Sequence, residues 1–154
     1  FNPDGMTTRA MLVSILYRMA GEPDVSELPE TPFEDVGPDA WYADAVRWAY
    51  ANEVAAGIDD THFAPDDRLT RAQLVTMLYR AYGPEKGVRP RPIGGYTDWN
   101  TVPEWAYPAA TWAVSMGLLY GTSSSQLSPN AGANRAQLAA FMMRTCALQS
   151  ELDA

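Results

Sequence analysis

The sequence predicts an all-α protein built from tandem helix–loop–helix repeats. One segment occurs three times: MTTRAMLVSILYRM from Met6, LTRAQLVTMLYRA from Leu69 and GANRAQLAAFMMRT from Gly132. Their first arginines are 62 and 64 residues apart, and a fixed period of this size is typical of repeat proteins. Each arginine is followed by an alanine and by apolar residues at helical spacing, so each segment is predicted to form an amphipathic helix.

A shorter helix is predicted upstream of the second and third segments. The first of these covers about residues 41–52, and in both helices two tryptophans seven positions apart lie on an apolar stripe: Trp41 with Trp48, and Trp105 with Trp112. Trp48 and Trp112 are flanked by alanines in mid-helix and are expected to face the core. Trp41 and Trp105 lie at the helix starts near loops, where an aromatic ring could stack on a sugar.

Turn-rich linkers divide the chain into three predicted units: 1–26, 27–88 and 89–154. The linker 21–32 contains three prolines, and the linker 83–95 reads GPEKGVRPRPIGG, which excludes a continuous helix. The first unit holds only the second half of a repeat, so the chain is expected to open inside one. A single helix pair has too little core to fold alone, and the units are therefore expected to share one.

Further motifs recur in a fixed order between the helices. The second unit contains FEDV at 33–36, Trp41, Gly57, FAPD at 63–66 and LTRAQ at 69–73. The third unit matches it with YTD at 96–98, Trp105, Gly121 and LSPN at 127–130. Together these motifs resemble the S-layer homology domain, which usually occurs as three tandem units on bacterial surface proteins. The resemblance covers nearly the whole chain and implies a central helical bundle with a pseudo-threefold arrangement.

The composition excludes several classes of function. The net charge is −8, the isoelectric point is about 4.5 and there is one lysine, which argues against nucleic acid as a partner. No apolar stretch approaches the roughly 20 residues of a membrane-spanning helix, so no membrane insertion is expected. An anionic ligand would have to be held by local geometry, because the overall field repels it.

The repeated Thr-Arg-Ala-Gln run is mostly explained by helix initiation. Thr70 at the N-cap and Gln73 three positions later predict a capping box, and Asn134 with Gln137 repeats it. Thr8 retains half of the box, because Met11 stands where a glutamine would be needed.

Capping does not explain the arginine at the first helical position, where the helix dipole disfavours a cation. Arg9, Arg71 and Arg135 all occupy it. One alternative is a structural ion pair with Asp35 or Asp98, the aspartates of the FEDV-like turns. The other is an anion receptor, in which free N–H groups and a guanidinium fork bind a carboxylate or phosphate. The two alternatives are compatible.

No catalytic residue, metal site or cofactor is predicted. His62 is the single histidine, lies in a loop and has no equivalent in the other repeats. No His/Cys cluster is spaced for zinc, and no serine or cysteine has a base near it in sequence. Cys146 is expected to be a buried, inert thiol of the last helix.

The resemblance implies a non-catalytic, extracellular module that binds a secondary cell-wall polysaccharide, often one with an acidic group such as a pyruvate ketal. The ligand would lie in grooves between repeats. The implied ligand-binding residues are Arg9, Arg71, Arg135, Asp35, Asp98, Trp41, Trp105, Gly57 and Gly121.

Two other interpretations remain: a protein–protein assembly module of a surface layer and a glycan-processing enzyme. The incomplete first repeat also predicts exposed apolar surface, covered by another chain, a swapped element or the tail 145–154.

Overall fold

The computed structural model describes residues 2–83 and 95–152, and helices joined by loops and turns make up this part of the chain. The α-helices are α1 (Arg9–Met19), α2 (Ala43–Ala51), α3 (Arg71–Tyr82), α4 (Tyr107–Ser115) and α5 (Arg135–Leu152). Two short 3-10 turns, Trp99–Thr101 and Glu104–Ala106, precede α4. Extended pairing in the described part of the chain is limited to isolated bridges, so the predicted all-α class is confirmed. Most of the predicted linker 83–95 lies outside the described residues.

The chain forms two compact units, residues 8–68 and residues 1–7 with 69–154. In the first unit α1 packs against α2, and the rings of Tyr17 and Trp48 lie 5.9 Å apart. In the second unit α3 packs against α4, and the rings of Tyr79 and Trp112 lie 5.5 Å apart. Both tryptophans are buried, as their alanine-flanked positions predicted. The repeat boundaries and the pseudo-threefold arrangement stay predictions.

Three helix starts are capped by their own side chains. Thr70 and Gln73 form a complete capping box at α3, and Asn134 and Gln137 do the same at α5. At α1 the Thr8 hydroxyl accepts from the backbone of Met11, which is the predicted half of the box. Arg9, Arg71 and Arg135 are the first residues of their helices, so their predicted position is confirmed.

Each of these helix starts also donates two backbone N–H groups to a proline-containing turn elsewhere in the chain. At α1 the acceptors are the carbonyls of Asp67 and Pro65, at α3 those of Ala131 and Pro129, and at α5 those of Gly5 and Pro3. These bonds satisfy donors that a helix cannot satisfy internally. The turns 65–67, 129–131 and 3–5 are therefore structural caps for helices distant in sequence.

A closed ring of three backbone hydrogen bonds lies in the unit of residues 1–7 and 69–154. The N–H of Thr7 donates to the carbonyl of Ala133, that of Ala133 to the carbonyl of Leu69, and that of Leu69 to the carbonyl of Thr7. Each N···O distance is 2.9 Å. The three residues stand at the same position of the repeat, two residues before Arg135, Arg71 and Arg9. All three are buried.

One face of α5 is uncovered where α1 and α3 are covered. Ala136, Ala139 and Met143 are exposed, Met143 by 75%. Their equivalents pack against α2 or α4, with the alanines and valines almost wholly buried: Ala10, Val13 and Tyr17 on α1, and Ala72, Val75 and Tyr79 on α3. The tail 145–152 continues α5 as helix and does not fold back over this face.

Candidate functional site

Arg9 uses its guanidinium to hold a loop of its own unit. Nε donates to the carbonyl of Phe63 at 2.8 Å and Nη2 to the carbonyl of Ala56 at 2.6 Å. The guanidinium carbon also lies 4.6 Å from the centre of the Phe63 ring, an attractive cation–π geometry. Arg9 is 8% exposed, and this burial lowers the pKa of the guanidinium, which still carries its charge at neutral pH.

Asp35 holds the same turn from its other side. Its carboxylate accepts from the backbone N–H groups of Phe63 at 2.8 Å and Ala64 at 2.7 Å. Burial acts to raise the pKa of Asp35, but these hydrogen bonds outweigh it and the pKa lies below its ordinary value.

Arg71 and Asp98 repeat this arrangement in the other unit. Arg71, 5% exposed, donates to the carbonyls of Leu127 and Tyr120. Asp98 accepts from the backbone N–H groups of Leu127 and Ser128, each at 2.8 Å, and the bond from Leu127 is the main cause of its lowered pKa.

The ion pairs found among the described residues do not join a first-position arginine to either aspartate. Of the two alternatives for these arginines, the direct ion pair with Asp35 or Asp98 is therefore not the one that the structure contains. The two groups bind opposite polar atoms of one turn, and their charges interact only at longer range.

Arg135 differs from its two equivalents. Its backbone N–H donates to the carbonyl of Gly5 at 2.8 Å, but no acceptor for its guanidinium lies among the described residues. The side chain is half-buried. Arg9 and Arg71 thus hold loops with their guanidinium groups, whereas the guanidinium of Arg135 holds no loop of the described part of the chain.

A pocket of about 160 Å³ lies beside Arg71, between residues of the second and third repeats. Its polar lining comes from Arg71, Gln137 and Arg144, and Tyr120 and Gly121 also line it. The Arg144 guanidinium carbon lies 4.3 Å from the centre of the Tyr120 ring. The apolar lining consists of Leu74, Leu118, Leu119, Ala133, Ala140 and Phe141. The pocket combines guanidinium groups with apolar surface, which suits an anionic ligand with a hydrophobic face.

Gly57 and Gly121 are required by tight loop packing. A Cβ atom on Gly57 would lie 2.4 Å from the carbonyl oxygen of Asp59, and one on Gly121 would lie 2.4 Å from that of Gln126. The backbone N–H of Gly121 also donates to the hydroxyl of Tyr96. These contacts account for both glycines, and Gly121 also borders the pocket.

The sequence-predicted tryptophans lie on the surface. Trp41 precedes α2 and is 66% exposed, and Trp105 lies in the 3-10 turn before α4 and is 54% exposed. Neither lines the pocket beside Arg71. Sequence reasoning missed Tyr120, and it assigned no ligand to Arg144, which it explained by a late position in the helix that suits the helix dipole. Nothing in a helix pattern indicates that the two side chains meet.

The remaining titratable groups suggest no other site. In the part of the chain that the structure describes, His, Cys, Asp and Glu do not gather in a group that could hold a metal ion. His62 is exposed and pairs with Asp59. Cys146 is exposed on α5, so the expectation of a buried thiol is wrong. Among the described helices, none is long and apolar enough to cross a membrane.

Fold and site together define an all-helical tandem-repeat module in which arginine and aspartate side chains fasten the proline turns of the second and third repeats. Comparison with known families identifies it further. The S-layer homology domain matches residues 32–75 and 95–139, more than half of the chain, within the predicted units 27–88 and 89–154. The chain belongs to the S-layer homology domain family and is a bacterial cell-surface module.

Three relatives illustrate where such segments occur. The chain is similar to an endoglucanase of Bacillus sp. (strain KSM-635), with 30% identity over 93% of this chain and 15% of that protein. It is similar to the surface-layer 125 kDa protein of Lysinibacillus sphaericus, with 32% identity over 94% of this chain and 12% of that protein. A cellulosome-anchoring protein of Acetivibrio thermocellus is 24% identical over 94% of this chain and 33% of its own length. The chain thus spans a third or less of these relatives.

Proposed function

We propose that this chain is a non-catalytic module that fixes a larger protein to the bacterial cell wall by binding a secondary cell-wall polysaccharide. The observation that carries the proposal is the pocket beside Arg71, where two guanidinium groups meet apolar and aromatic surface in a protein of net charge −8. Guanidinium groups bind carboxylates, and an apolar wall suits the C–H face of a sugar. An acidic glycan, for example one with a pyruvate ketal, has both features. The names of the surface-layer and cellulosome-anchoring relatives support the same role.

The arginines divide the work in this proposal. Arg135 does not line the pocket beside Arg71; its guanidinium lacks an acceptor among the described residues, and it binds a second acidic group of the polysaccharide directly. Arg71 and its equivalent Arg9 use part of their five N–H donors on loop carbonyls and offer the remainder to the ligand. The other residues of the proposed site have two roles. Asp35 and Asp98 fasten the turns, and Gly57 and Gly121 permit the geometry of the loops. Trp41 and Trp105 offer exposed rings to the sugar.

The test is isothermal titration of the chain with polysaccharide released from purified cell walls of Lysinibacillus sphaericus. The same polysaccharide with its carboxyl groups reduced to alcohols is the matched ligand. We expect the reduced form, and Arg135→Ala with the native form, to bind at least about tenfold more weakly, since a charge-assisted contact is lost. Arg18→Ala is the control, because Arg18 is exposed and pairs with Glu22.

Three results would count against the proposal. Absence of binding to wall polysaccharide overturns the anchoring function. Equal affinity for native and reduced polysaccharide, with Arg135→Ala unchanged, overturns acidic-group recognition. Release of reducing sugar from the polysaccharide would instead favour a glycan-processing enzyme.

Self-association is a second function that one observation favours. The uncovered face of α5 carries alanines and Met143 where the equivalent faces of α1 and α3 are covered by a helix. A second copy of this chain, presenting the same small-residue face, would cover it symmetrically. Met143→Glu should then shift the chain from dimer to monomer in sedimentation velocity. Met116→Glu, at an exposed methionine after α4, is the control, and a wild-type monomer at all concentrations would refute this function.

A further inference from the structure

Tyr120 stands in the third repeat where Ala56 stands in the second. The carbonyl of Ala56 accepts from Arg9, and the carbonyl of Tyr120 accepts from Arg71 in the same way. The backbone carbonyl at this position therefore accepts a hydrogen bond from an arginine in both repeats. Since an alanine does this in the second repeat, the hydrogen bond does not require a large side chain. The phenol ring of Tyr120 must have another explanation.

Core packing does not supply that explanation. Tyr120 is 56% exposed, and it lines the pocket together with Arg71 and Gln137. Arg144 lies against the ring, with its guanidinium carbon 4.3 Å from the ring centre, and donates to the carbonyl of Leu118 at 3.3 Å. One face of an exposed ring is thus occupied by a cation that is itself tied to the backbone.

This arrangement prepares the ring for binding. A tyrosine has two side-chain torsions, so holding it in place costs little conformational entropy, and the contact with Arg144 restricts it before a ligand arrives. The hydrogen bond to Leu118 uses one of five guanidinium N–H donors. The other donors have no acceptor among the described residues and can bind a carboxylate beside the ring, while the exposed part of the ring offers a flat apolar surface.

We propose that Tyr120 is the platform on which a sugar ring of an anionic polysaccharide stacks, and that Arg144 binds the acidic group of that sugar. This inference rests on the proposed function and assigns its specificity to two side chains of the third repeat. Trp41 and Trp105, the stacking residues expected from the sequence, are exposed elsewhere and are not needed for it.

The experiment uses isothermal titration with wall polysaccharide of Lysinibacillus sphaericus and three variants of the full chain. Tyr120→Ala introduces the residue that already serves at position 56 and should bind about tenfold more weakly. Tyr120→Phe keeps the ring and should stay within about twofold. Arg144→Gln should lose more affinity for the native polysaccharide than for the carboxyl-reduced form, because it removes the partner of the acidic group as well as the contact that holds the ring.

The outcomes separate this inference from the function on which it depends. A wild type that binds the polysaccharide while Tyr120→Ala binds equally well overturns the platform alone. Equal weakening by Tyr120→Ala and Tyr120→Phe overturns stacking, since the hydroxyl would then be the contact. A wild type that does not bind overturns both. If Tyr120→Ala lowers the unfolding temperature, Tyr120→Leu keeps the bulk without the aromatic face and should show the same loss of affinity.

Discussion

Replacing Arg71 by methionine should destabilise the protein markedly. Methionine keeps an apolar stem in the same space but removes both donors, leaving the carbonyls of Tyr120 and Leu127 without them. Each buried acceptor left unpaired costs about 1–3 kcal/mol. Methionine also removes the cost of burying a charged guanidinium, which offsets part of this loss. We therefore expect a loss of about 3 kcal/mol in the free energy of unfolding, which at this chain length lowers the unfolding temperature by roughly 6–12 °C.

Arg135→Met is the matched control for this change. Arg135 has the same first position in its helix and the same following alanine, but it is half-buried and its guanidinium lacks an acceptor in the described part of the chain. Its replacement should change the free energy of unfolding by no more than about 0.5 kcal/mol. Thermal unfolding followed by circular dichroism, together with urea titration, measures both variants. Equal unfolding temperatures for the two would refute the reasoning that Arg71 holds the loop.

Three further predictions concern stability. Gly57→Ala should lower the unfolding temperature by several degrees, because its Cβ would lie 2.4 Å from the carbonyl oxygen of Asp59, while Gly37→Ala, with nothing within 4 Å, should not. The hydrogen bond to Asp59, and then its charge, raise the pKa of His62 above 6.5, so the stability that the pair contributes is present below that pH and is lost as pH rises through the higher value. His62→Gln should therefore flatten the plot of unfolding temperature against pH as the pH rises above about 6.5. Thr7→Val should stabilise by about 1 kcal/mol, since the buried Thr7 hydroxyl lacks a partner among the described residues.

Each of these predictions has a result that would contradict it. A drop for Gly37→Ala as large as that for Gly57→Ala would mean that loop entropy, and not the clash, matters. If the unfolding temperatures of wild type and His62→Gln change with pH in parallel, the His62–Asp59 pair does not contribute to the pH dependence of stability. A lower unfolding temperature for Thr7→Val would show that the hydroxyl has a hidden role.

Local features of the site could be predicted from the sequence. A capping box joins residues three positions apart, so Thr70 with Gln73 and Asn134 with Gln137 were predicted from spacing and are confirmed. The acceptors of the arginines could not be predicted. Arg9 donates to carbonyls 47 and 54 residues away, and any residue type can supply a carbonyl.

Periodicity has a second limit, which α5 illustrates. An apolar pattern indicates which residues share a helix face, but not whether another element covers that face. Val13 and Val75 lie under a neighbouring helix, whereas Ala139 and Cys146, in the same kind of pattern, are exposed. The expectation of a buried thiol failed for this reason.

The ring of Thr7, Leu69 and Ala133 has a consequence for how fast this chain folds. It joins residues 62 and 64 positions apart. Closing a loop of that length costs about 4 kcal/mol of free energy through lost chain entropy, before the contacts that offset this cost have formed. Helical proteins usually fold rapidly, because their contacts are local. Here the helix starts and the ring both depend on distant partners, so α3 and α5 gain their full support only after the ring closes. The chain is helical, but like a β-protein it depends on contacts between residues distant in sequence. We therefore expect the backbone amides of the ring to be among the slowest in the chain to exchange with solvent.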